Sequence, residues 1–352
     1  MRKQKIPFLK NDRLLRVLNH LPVDRVPVWL MRQAGRTDPE YCQLRKNDGR
    51  ALEELFEDPE IAIKISLLPK RLGVDAIIMF QDILTPLTPL GADFRFAPGP
   101  VLEKPVRTLA QVKALRGLDP EKQLQTVSQI LRGLNAELNG ELPVLGFAGS
   151  PMSLAFFMIA GSSPNRKLDE VLAFVEEQPE ITQALLGHLT EMTVDYLNFQ
   201  IASGADAVQL FESFADVIPL EVYKKYVQPA QEIIFSSLAP SAPSILFTKE
   251  SPHLDLMLRS GASVLSVGSC INLAEAKKRA PDVIFQGNVD NQILADGTFE
   301  DITEAVRKCF VQSKRKNHIL NLNHGLLERT PFENVQHFID AAKELGKVKL
   351  ID

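Results

Sequence analysis

The chain has 352 residues, of which 45% are hydrophobic and 24% are charged. This composition is typical of globular proteins and excludes a disordered or fibrous chain. The 40 basic and 44 acidic side chains leave a net charge of −4, so the charge balance gives no indication of nucleic-acid or membrane partners. The three cysteines form no CxxC pair, which is typical of a cytoplasmic protein and does not match the spacing of a zinc site.

Two segments bear on targeting and membrane insertion. The N-terminal 18 residues are basic but contain no continuous apolar stretch, so we expect no signal peptide. Residues 142–165 carry no charged side chain and are long enough to span a bilayer. A glycine-serine-proline cluster at 149–151 interrupts them, which predicts a buried strand, a turn and an apolar helix. We therefore assign this segment to the core.

Short apolar runs alternate with segments of helical periodicity along the chain. The runs are residues 27–30, 75–80, 143–147, 205–211, 244–247, 263–267, 283–285 and 318–322. Helical periodicity is found in residues 59–72, 168–198, 220–237, 273–278 and 300–314. Eight such strands alternating with helices predict an α/β fold, a (β/α)8 TIM barrel that forms a single domain over residues 1–352.

An open, doubly wound sheet is the alternative to the barrel. It is disfavoured because no GxGxxG sequence follows the first strand and no GxxxxGK[ST] sequence occurs. In a barrel, the active site is built from the loops that follow the carboxyl ends of the strands. The candidate residues are therefore those that come just after each predicted strand.

Arg32 and Arg36 follow the first predicted strand and lie four residues apart. Neighbouring guanidinium groups repel each other unless an anion lies between them, and each binds a carboxylate or phosphate with two hydrogen bonds. The alternative is a pair of surface arginines bound to Asp38 or Glu40. The position after a barrel strand favours an anion site, and it does not distinguish phosphate from carboxylate.

Asp82 lies just after the apolar run 77–80, at the edge of the predicted core. A partly desolvated carboxylate at this place can stabilise a developing cation or act as a base. Its alternative role is to cap the following segment, although Pro86 and Pro89 make that segment a poor helix. We favour the functional role.

His324 and Ser213 each follow a later strand. His324 is a candidate proton carrier, substrate ligand or loop-shaping residue, and no second His or Cys at ligand spacing indicates a metal site. Ser213 lacks the GxSxG sequence of a hydrolase nucleophile and is interpreted as a hydrogen-bond donor or a turn residue. In the apolar helix after 149–151, Phe157 is expected to face the cavity. Residues 249–253 are interpreted as a solvated charged loop.

Taken together, these residues resemble the uroporphyrinogen decarboxylase family. Residues 27–36, PVWLMRQAGR, closely match the family signature P-V-W-x-M-R-Q-A-G-R. Further matches follow in order: FQDIL at 80–84, residues 96–107 ending in PVR, GFAGSP at 146–151, QLFES at 209–213, QGNVD at 286–290 and NLNHG at 321–325. The first motif is long and specific, and the matches extend through most of the chain.

The resemblance implies a single-domain barrel that forms a homodimer and needs neither cofactor nor metal. It implies that the protein removes CO2 from the four acetate side chains of uroporphyrinogen III, which gives coproporphyrinogen III for haem and chlorophyll synthesis. The resemblance implies that Asp82 is catalytic and accepts hydrogen bonds from the pyrrole N–H groups. The sequence does not settle which group supplies the proton, and Arg32 is a candidate. The implied substrate-binding residues are Arg32, Gln33, Ala34, Gly35, Arg36, Asp82, Phe157, Ser213 and His324, with Arg45 as a weaker candidate.

The sequence also departs from the family pattern around this site. Phe157 stands where the family has a substrate-binding tyrosine, Met152 replaces a tryptophan, Ala160 a glutamate and Gln81 a serine. Gly268-Ser269 replace the family's Asp-Trp, and Asn323 replaces a glycine.

These departures support a second hypothesis, a barrel that binds a tetrapyrrole without turning it over. A third is a related methyltransferase barrel, which would carry an H-x-C zinc pair near the fifth strand, where this chain has none. A glycosidase would need two carboxylates about 5–9.5 Å apart, and the two arginines have no place in that chemistry.

Overall fold

The computed structural model describes residues 9–96 and 99–348. Residues 1–8, part of the segment in which no signal peptide is expected, and residues 97 and 98 of the motif 96–107 lie outside this description. The strands are β1 (Ile77–Ile78), β2 (Phe94–Phe96), β3 (Pro100–Leu102), β4 (Val144–Gly149), β5 (Ala207–Glu212), β6 (Ser244–Thr248), β7 (Val264–Ser266), β8 (Ile284–Gln286) and β9 (His318–Ile319).

The central sheet is parallel and follows the order of the chain. Its strands are neighbours in the order β1, β4, β5, β6, β7, β8 and β9, while β2 and β3 form a separate antiparallel pair. Parallel neighbours that are consecutive in this way arise from right-handed crossover connections through helices. The helices therefore lie outside the sheet.

Residues 27–30 close the sheet by lying between β9 and β1. Val28 forms a parallel bridge with Leu320, and the Leu320 N–H donates to the Pro27 carbonyl at 2.9 Å. On the other side, the Asp75 N–H donates to the Val28 carbonyl at 2.7 Å. Because hydrogen bonds join this segment to both edges of the sheet, the predicted (β/α)8 barrel is confirmed.

The helices surround the barrel and occupy most of the segments between the strands. They are α1 (Arg13–Leu18), α2 (Pro39–Asp48), α3 (Leu52–Phe56), α4 (Pro59–Leu67), α5 (Leu109–Lys113), α6 (Pro120–Gln123), α7 (Gln125–Leu138), α8 (Pro151–Ala160), α9 (Leu168–Glu177), α10 (Pro179–Ala202), α11 (Leu220–Val222), α12 (Gln228–Ser237), α13 (Leu254–Arg259), α14 (Leu273–Arg279), α15 (Asn291–Asp296), α16 (Phe299–Ser313) and α17 (Phe332–Leu345).

The predicted helical segments are helical, with one break, although residues 68–72 form a 3₁₀ helix and residues 223–227 a π-helix. Residues 168–198 form two helices, α9 and α10, instead of one. Pro179 is the first residue of α10, a position where its missing N–H removes no helical hydrogen bond, whereas inside a continuous helix it would remove one.

The charge-free segment 142–165 belongs to the core, as the sequence predicts. Every residue of β4 is buried, and so is every residue of α8 except Phe157. In the described part of the chain, no helix combines the length and the apolar character needed to cross a membrane.

A polar network inside the barrel holds residues 27–30 in place. The indole N–H of Trp29 donates to the Gln286 side-chain oxygen at 2.9 Å. The Gln286 amide donates in turn to Gln209 at 2.9 Å and to Ser266 at 3.0 Å. Since buried polar groups are costly unless they are hydrogen-bonded, this network orients residues 27–30, which lead into residues 31–36, the arginine loop.

Candidate active site

A cavity of about 540 Å³ opens at the carboxyl ends of the barrel strands. This volume lies in the range typical of small-molecule sites. Of the predicted site residues, those that line it are Arg32, Ala34, Gly35, Arg36, Asp82, Phe157, Ser213 and His324. Residues from across the chain are therefore brought to one site.

Gln33 is the predicted site residue whose side chain serves the loop instead of the cavity. It is 1% exposed, accepts a hydrogen bond from the Leu30 N–H and donates to the Ala76 carbonyl, both at 3.0 Å. These bonds tie the arginine loop to the start of β1. They hold the neighbouring residues Arg32 and Ala34 at the cavity.

Arg32 lies in the cavity as a cation with no close anionic partner. In residues 9–96 and 99–348, its guanidinium forms no hydrogen bond and no salt bridge within 4.0 Å. Arg32 is exposed to the open cavity, but desolvation by the surrounding cavity walls lowers its pKa, Asp82 opposes this shift, and the charge of Arg36 lowers the pKa further. Arg32 also has a φ of +61°, a conformation that L-residues rarely adopt unless their surroundings hold them in it.

Arg36 lies nearer the mouth of the cavity and has a counter-ion. Its Nη1 is 2.5 Å from Oε2 of Glu328, which also lines the cavity. Asp38 and Glu40 instead pair with Arg71, so the alternative pairing considered for the arginines is wrong.

Arg45, the weaker substrate-binding candidate, is directed elsewhere. Its Nη1 donates to the Arg50 carbonyl at 3.0 Å, and Arg45 is not among the described residues that line the cavity.

Asp82 follows β1, lines the cavity and fills the capping role considered for it. Its Oδ1 accepts a hydrogen bond from the Leu84 N–H at 2.9 Å, which shapes the turn into the 3₁₀ segment Thr85–Leu87. Burial raises the pKa of Asp82, while the Leu84 N–H and the Arg32 cation oppose the rise. The turn therefore orients the carboxyl group at the edge of the cavity.

A row of aromatic rings forms one wall of the cavity. Phe147 of β4, Phe211 of β5 and Phe247 of β6 are successive ring neighbours, with centroids 5.7 and 5.4 Å apart, and Phe247 meets the His324 ring at 5.7 Å. Our sequence interpretation missed this wall. The period-2 alternation of β5, with Gln209 and Phe211 on the same face, was the signal for it.

Phe157 lines the cavity from α8, as expected. It is the one residue of α8 that is not buried. Its ring packs edge-on against Phe94 and Phe214, with centroids 6.5 and 5.8 Å away.

Ser213 is tied through Ser153 to the buried Glu212, which the sequence interpretation considered only as a glycosidase carboxylate. Ser153 of α8 accepts from the Ser213 N–H at 2.8 Å and donates to Oε1 of Glu212 at 2.5 Å. Burial raises the pKa of Glu212 to about 7, although hydrogen bonds partly oppose the rise. Glu212 therefore anchors the end of β5 to α8.

His324 is neutral at physiological pH. Burial lowers its pKa to about 4, and the cations Arg32 and Lys249 lower it further, while Glu250 opposes them. A neutral imidazole both donates and accepts a hydrogen bond. No group of three or more His, Cys, Asp or Glu side chains within the described ranges is arranged to hold a metal ion.

Comparisons with known proteins identify the family. A profile of the family described as uroporphyrinogen decarboxylase (URO-D) matches residues 9–345. The uroporphyrinogen decarboxylase of Alkalilimnicola ehrlichii is 38% identical over 348 residues, which cover 96% of this chain and 95% of that protein. The uroporphyrinogen decarboxylase of Prochlorococcus marinus (strain MIT 9312) is 39% identical over 92% of this chain and 95% of its own. The chain belongs to the uroporphyrinogen decarboxylase family.

A solved structure supports the fold independently. A methyltransferase from Methanosarcina mazei superposes with a TM-score of 0.80 over 96% of this chain and 99% of its own, at 19% identity. At this identity the likeness concerns the barrel alone.

The positions at which this chain departs from the uroporphyrinogen decarboxylase pattern fall into separate places. Phe157 and Gln81 line the cavity. Met152 and Ala160 are each 1% exposed and belong to the core. Residues 268, 269 and 323 lie together around Glu250, which we consider below.

Proposed function

We propose that this protein decarboxylates the four acetate side chains of uroporphyrinogen III to give coproporphyrinogen III, and that the cavity described above is its active site. One observation carries the proposal. In a member of the uroporphyrinogen decarboxylase family, a half-buried carboxyl group (Asp82) and a cation without a close partner (Arg32) line one aromatic-walled cavity.

The cavity suits a macrocycle that carries several carboxylates. The rings of Phe147, Phe211 and Phe247 offer an apolar surface for the pyrrole rings. Arg32 and Arg36 bind carboxylate side chains with charge-assisted hydrogen bonds. The backbone at 33–35, the Ser213 hydroxyl and the neutral His324 imidazole supply further polar contacts.

Loss of CO2 from an acetate arm requires a place for the electron pair of the broken C–C bond. The protonated pyrrole ring is that place, because it accepts the electron pair of the C–C bond as CO2 leaves. A proton added to the methylene carbon gives the methyl group, and the ring proton departs. Each cycle therefore consumes one proton and releases one CO2.

Asp82 stabilises the cation that forms when the pyrrole ring is protonated. Its carboxylate accepts hydrogen bonds from the pyrrole N–H groups, and the low dielectric of the cavity strengthens their attraction to the charged ring. The Leu84 N–H keeps the carboxyl group in place. An electrostatic partner positioned in advance in this way lowers the barrier without reorganisation during the reaction.

Arg32 is the proposed proton donor. A guanidinium with a pKa above about 12 is a weak acid, but burial and the neighbouring Arg36 lower the pKa of Arg32. After CO2 leaves, Arg32 gives a proton to the methylene carbon as the ring proton departs, and Arg32 regains its proton from solvent.

One observation favours a second candidate, a barrel that binds the tetrapyrrole without turning it over. Phe157 offers no hydroxyl at the position where the family has a substrate-binding tyrosine. We expect the ring contacts of Phe157 to maintain binding, so that the missing hydroxyl lowers the rate without abolishing turnover.

The test is anaerobic release of CO2 from uroporphyrinogen III by the wild type and by Asp82→Asn. We expect release by the wild type and a fall of roughly 10²–10³-fold in the variant, with an unchanged circular dichroism spectrum. Near-normal rates in Asp82→Asn would remove Asp82 from the mechanism. Tight binding of the porphyrinogen by a wild type that releases no CO2 would select the second candidate.

We also propose that the protein is a single-domain homodimer in the cytoplasm. The family resemblance supports the dimer, and the three unpaired cysteines, Cys42, Cys270 and Cys309, suit a reducing compartment. Sedimentation equilibrium of the full chain tests the dimer. A monomer mass at concentrations well above those of the assay would contradict it.

A further inference from the structure

Glu250, in the segment interpreted from sequence as a solvated loop, is the centre of a hydrogen-bond cluster. Its Oε1 accepts from the Ser269 N–H at 2.9 Å, the Ser269 hydroxyl at 3.0 Å and the Asn323 amide at 2.8 Å. Its Oε2 accepts from the Cys270 N–H at 2.9 Å. One carboxylate therefore joins the loops that follow β6, β7 and β9.

The surroundings of Glu250 are built for this arrangement. A Cβ on Gly268 would lie 2.6 Å from the Glu250 Cα and 2.7 Å from its Oε2, so residue 268 must be glycine for Glu250 to approach. Glu250 itself has a φ of +44°, which L-residues rarely adopt unless their surroundings hold them there. Burial raises the pKa of Glu250, but the hydrogen bonds from the two loops outweigh burial and hold it below its ordinary value.

The cluster reaches the active site through Asn323, the residue before His324. While the Asn323 amide nitrogen donates to Glu250, its oxygen accepts from the Asn291 N–H at 2.8 Å. The Asn291 side chain donates to the carbonyl of Gly325, the residue after His324, at 2.9 Å. Both chain neighbours of His324 are thus fixed, one of them by Glu250.

We propose that Glu250 is a positioning residue for His324: through Asn323, its carboxylate holds the loop that keeps the imidazole buried in the cavity wall. The part of this inference that concerns substrate binding rests on the proposed function. The part that concerns the position of His324 does not.

The pKa of His324 distinguishes positioning from a simple charge effect. The charged groups that face His324 are Arg32, Lys249 and Glu250, and burial is the largest cause of its low pKa. If Glu250 acts on His324 only through its charge, Glu250→Gln lowers this pKa further. If Glu250 positions the loop, the variant exposes the imidazole and its pKa rises towards the ordinary value of about 6.5.

The experiment is an NMR titration of the ligand-free full chain labelled at the histidine ring carbons, with His324 assigned by His324→Gln. We compare the wild type with two variants. In Glu250→Gln, the new amide nitrogen would face a backbone N–H donor. In Asn323→Ala, the charge of Glu250 is retained. Glu221→Gln is the matched control, since Glu221 is exposed and, among the described residues, pairs with Lys224 alone.

We expect the pKa of His324 to rise in Glu250→Gln and in Asn323→Ala and to stay unchanged in the control. A fall or no change in Glu250→Gln would overturn the proposal. If Glu250→Gln does not fold, Asn323→Ala decides in the same way. It removes the link to Glu250, together with the bonds to Asn291 and Asp290, and leaves the bonds from Ser269 and Cys270 to Glu250 in place.

Steady-state kinetics provide a second readout that depends on the proposed function. We expect KM to rise roughly tenfold in each variant, as for loss of a hydrogen bond to a charged group, and the double variant to be little worse than either single one. If the two substitutions instead raised KM independently, so that the double variant showed the product of the two single effects, a shared route through Asn323 would be contradicted. A wild type without turnover would refute the proposed function while leaving the NMR result valid.

Discussion

Arg36 and Glu328 form an ion pair of 2.5 Å across the mouth of the cavity, although 292 residues separate them in the sequence. Their side chains are 63% and 69% exposed. A carboxylate of the proposed substrate that binds Arg36 therefore competes with Glu328 for the guanidinium. The pair makes Arg36 a weaker anion site in the free protein than Arg32, which has no such competitor.

Removal of the competing carboxylate should improve substrate binding. We expect Glu328→Gln to lower the KM for uroporphyrinogen about twofold to fivefold, in keeping with the small free energy of exposed ion pairs. The effect should shrink at high salt because exposed charges are screened. KM measured at low and high salt checks this. The control is Glu304→Gln, because Glu304 pairs with Arg307 on a helix surface. A higher KM in Glu328→Gln would mean that Glu328 assists binding.

Gly325 provides the space in which the Arg32 side chain lies. A Cβ at Gly325 would be 2.5 Å from Cδ and 2.7 Å from Cγ of Arg32. We expect Gly325→Ala to displace Arg32 and to reduce kcat/KM roughly tenfold or more, as expected for a misplaced catalytic group.

The control for Gly325→Ala is Gly187→Ala. Gly187 lies in α10, and a Cβ there would meet no atom within 4 Å. This variant should retain full activity and gain up to about 1 kcal/mol of stability. Equal kcat/KM values for Gly325→Ala and the wild type would show that Arg32 does not need its present position.

A hydroxyl at residue 157 should increase the rate. In Phe157→Tyr the ring contacts with Phe94 and Phe214 are preserved, and the hydroxyl adds a hydrogen bond worth about 0.5–1.5 kcal/mol. We expect kcat/KM to rise about twofold to tenfold. An unchanged or lower kcat/KM would show that the hydroxyl does not limit the enzyme.

The adjacent residue supplies the matched control for that variant. Phe156 is fully buried, so the hydroxyl of Phe156→Tyr enters the core without a solvent contact. We expect this variant to lose about 1–3 kcal/mol of stability without a gain in activity, as urea unfolding would show. A gain in kcat/KM in Phe156→Tyr would argue against a direct contact between residue 157 and the substrate.

The buried Glu212 should make stability depend on pH. Its pKa rises from 4.5 to about 7 on folding, so the folded chain binds this proton more tightly than the unfolded chain does. The stabilisation is therefore fully present below about pH 4.5 and is lost as the pH rises towards 7, by up to about 3 kcal/mol.

Glu212→Gln mimics the protonated form and still accepts the Ser153 hydrogen bond. Urea unfolding at pH 5 and pH 8 should show that the wild type loses stability relative to this variant as the pH rises. Parallel stability profiles for the two proteins would contradict a raised pKa for Glu212.

The barrel and the members of the site were predictable because they depend on local patterns. Apolar runs marked the strands, and polar residues after those runs marked the cavity, with Asp82 and His324 as examples. The break before α10 was also readable, since Pro179 disfavours a continuous helix. These features follow from residues close together in the chain.

The partners of the site residues were not predictable because they depend on contacts distant in sequence. Glu250 and Asn323 are 73 residues apart, and no spacing rule links them. The same holds for Glu328, which belongs to no strand-end motif and becomes relevant only once the barrel brings it to Arg36. The departures at 268, 269 and 323 are scattered in the sequence, and the structure shows that they surround one carboxylate.

The most direct test of the central claim is anaerobic turnover of uroporphyrinogen III by the purified full chain. The products are oxidised to porphyrins and separated by their number of carboxylates. We predict successive hepta-, hexa- and pentacarboxylate intermediates that converge on the tetracarboxylate coproporphyrin. A folded protein that binds the porphyrinogen yet yields no product with fewer carboxylates would contradict the proposed activity.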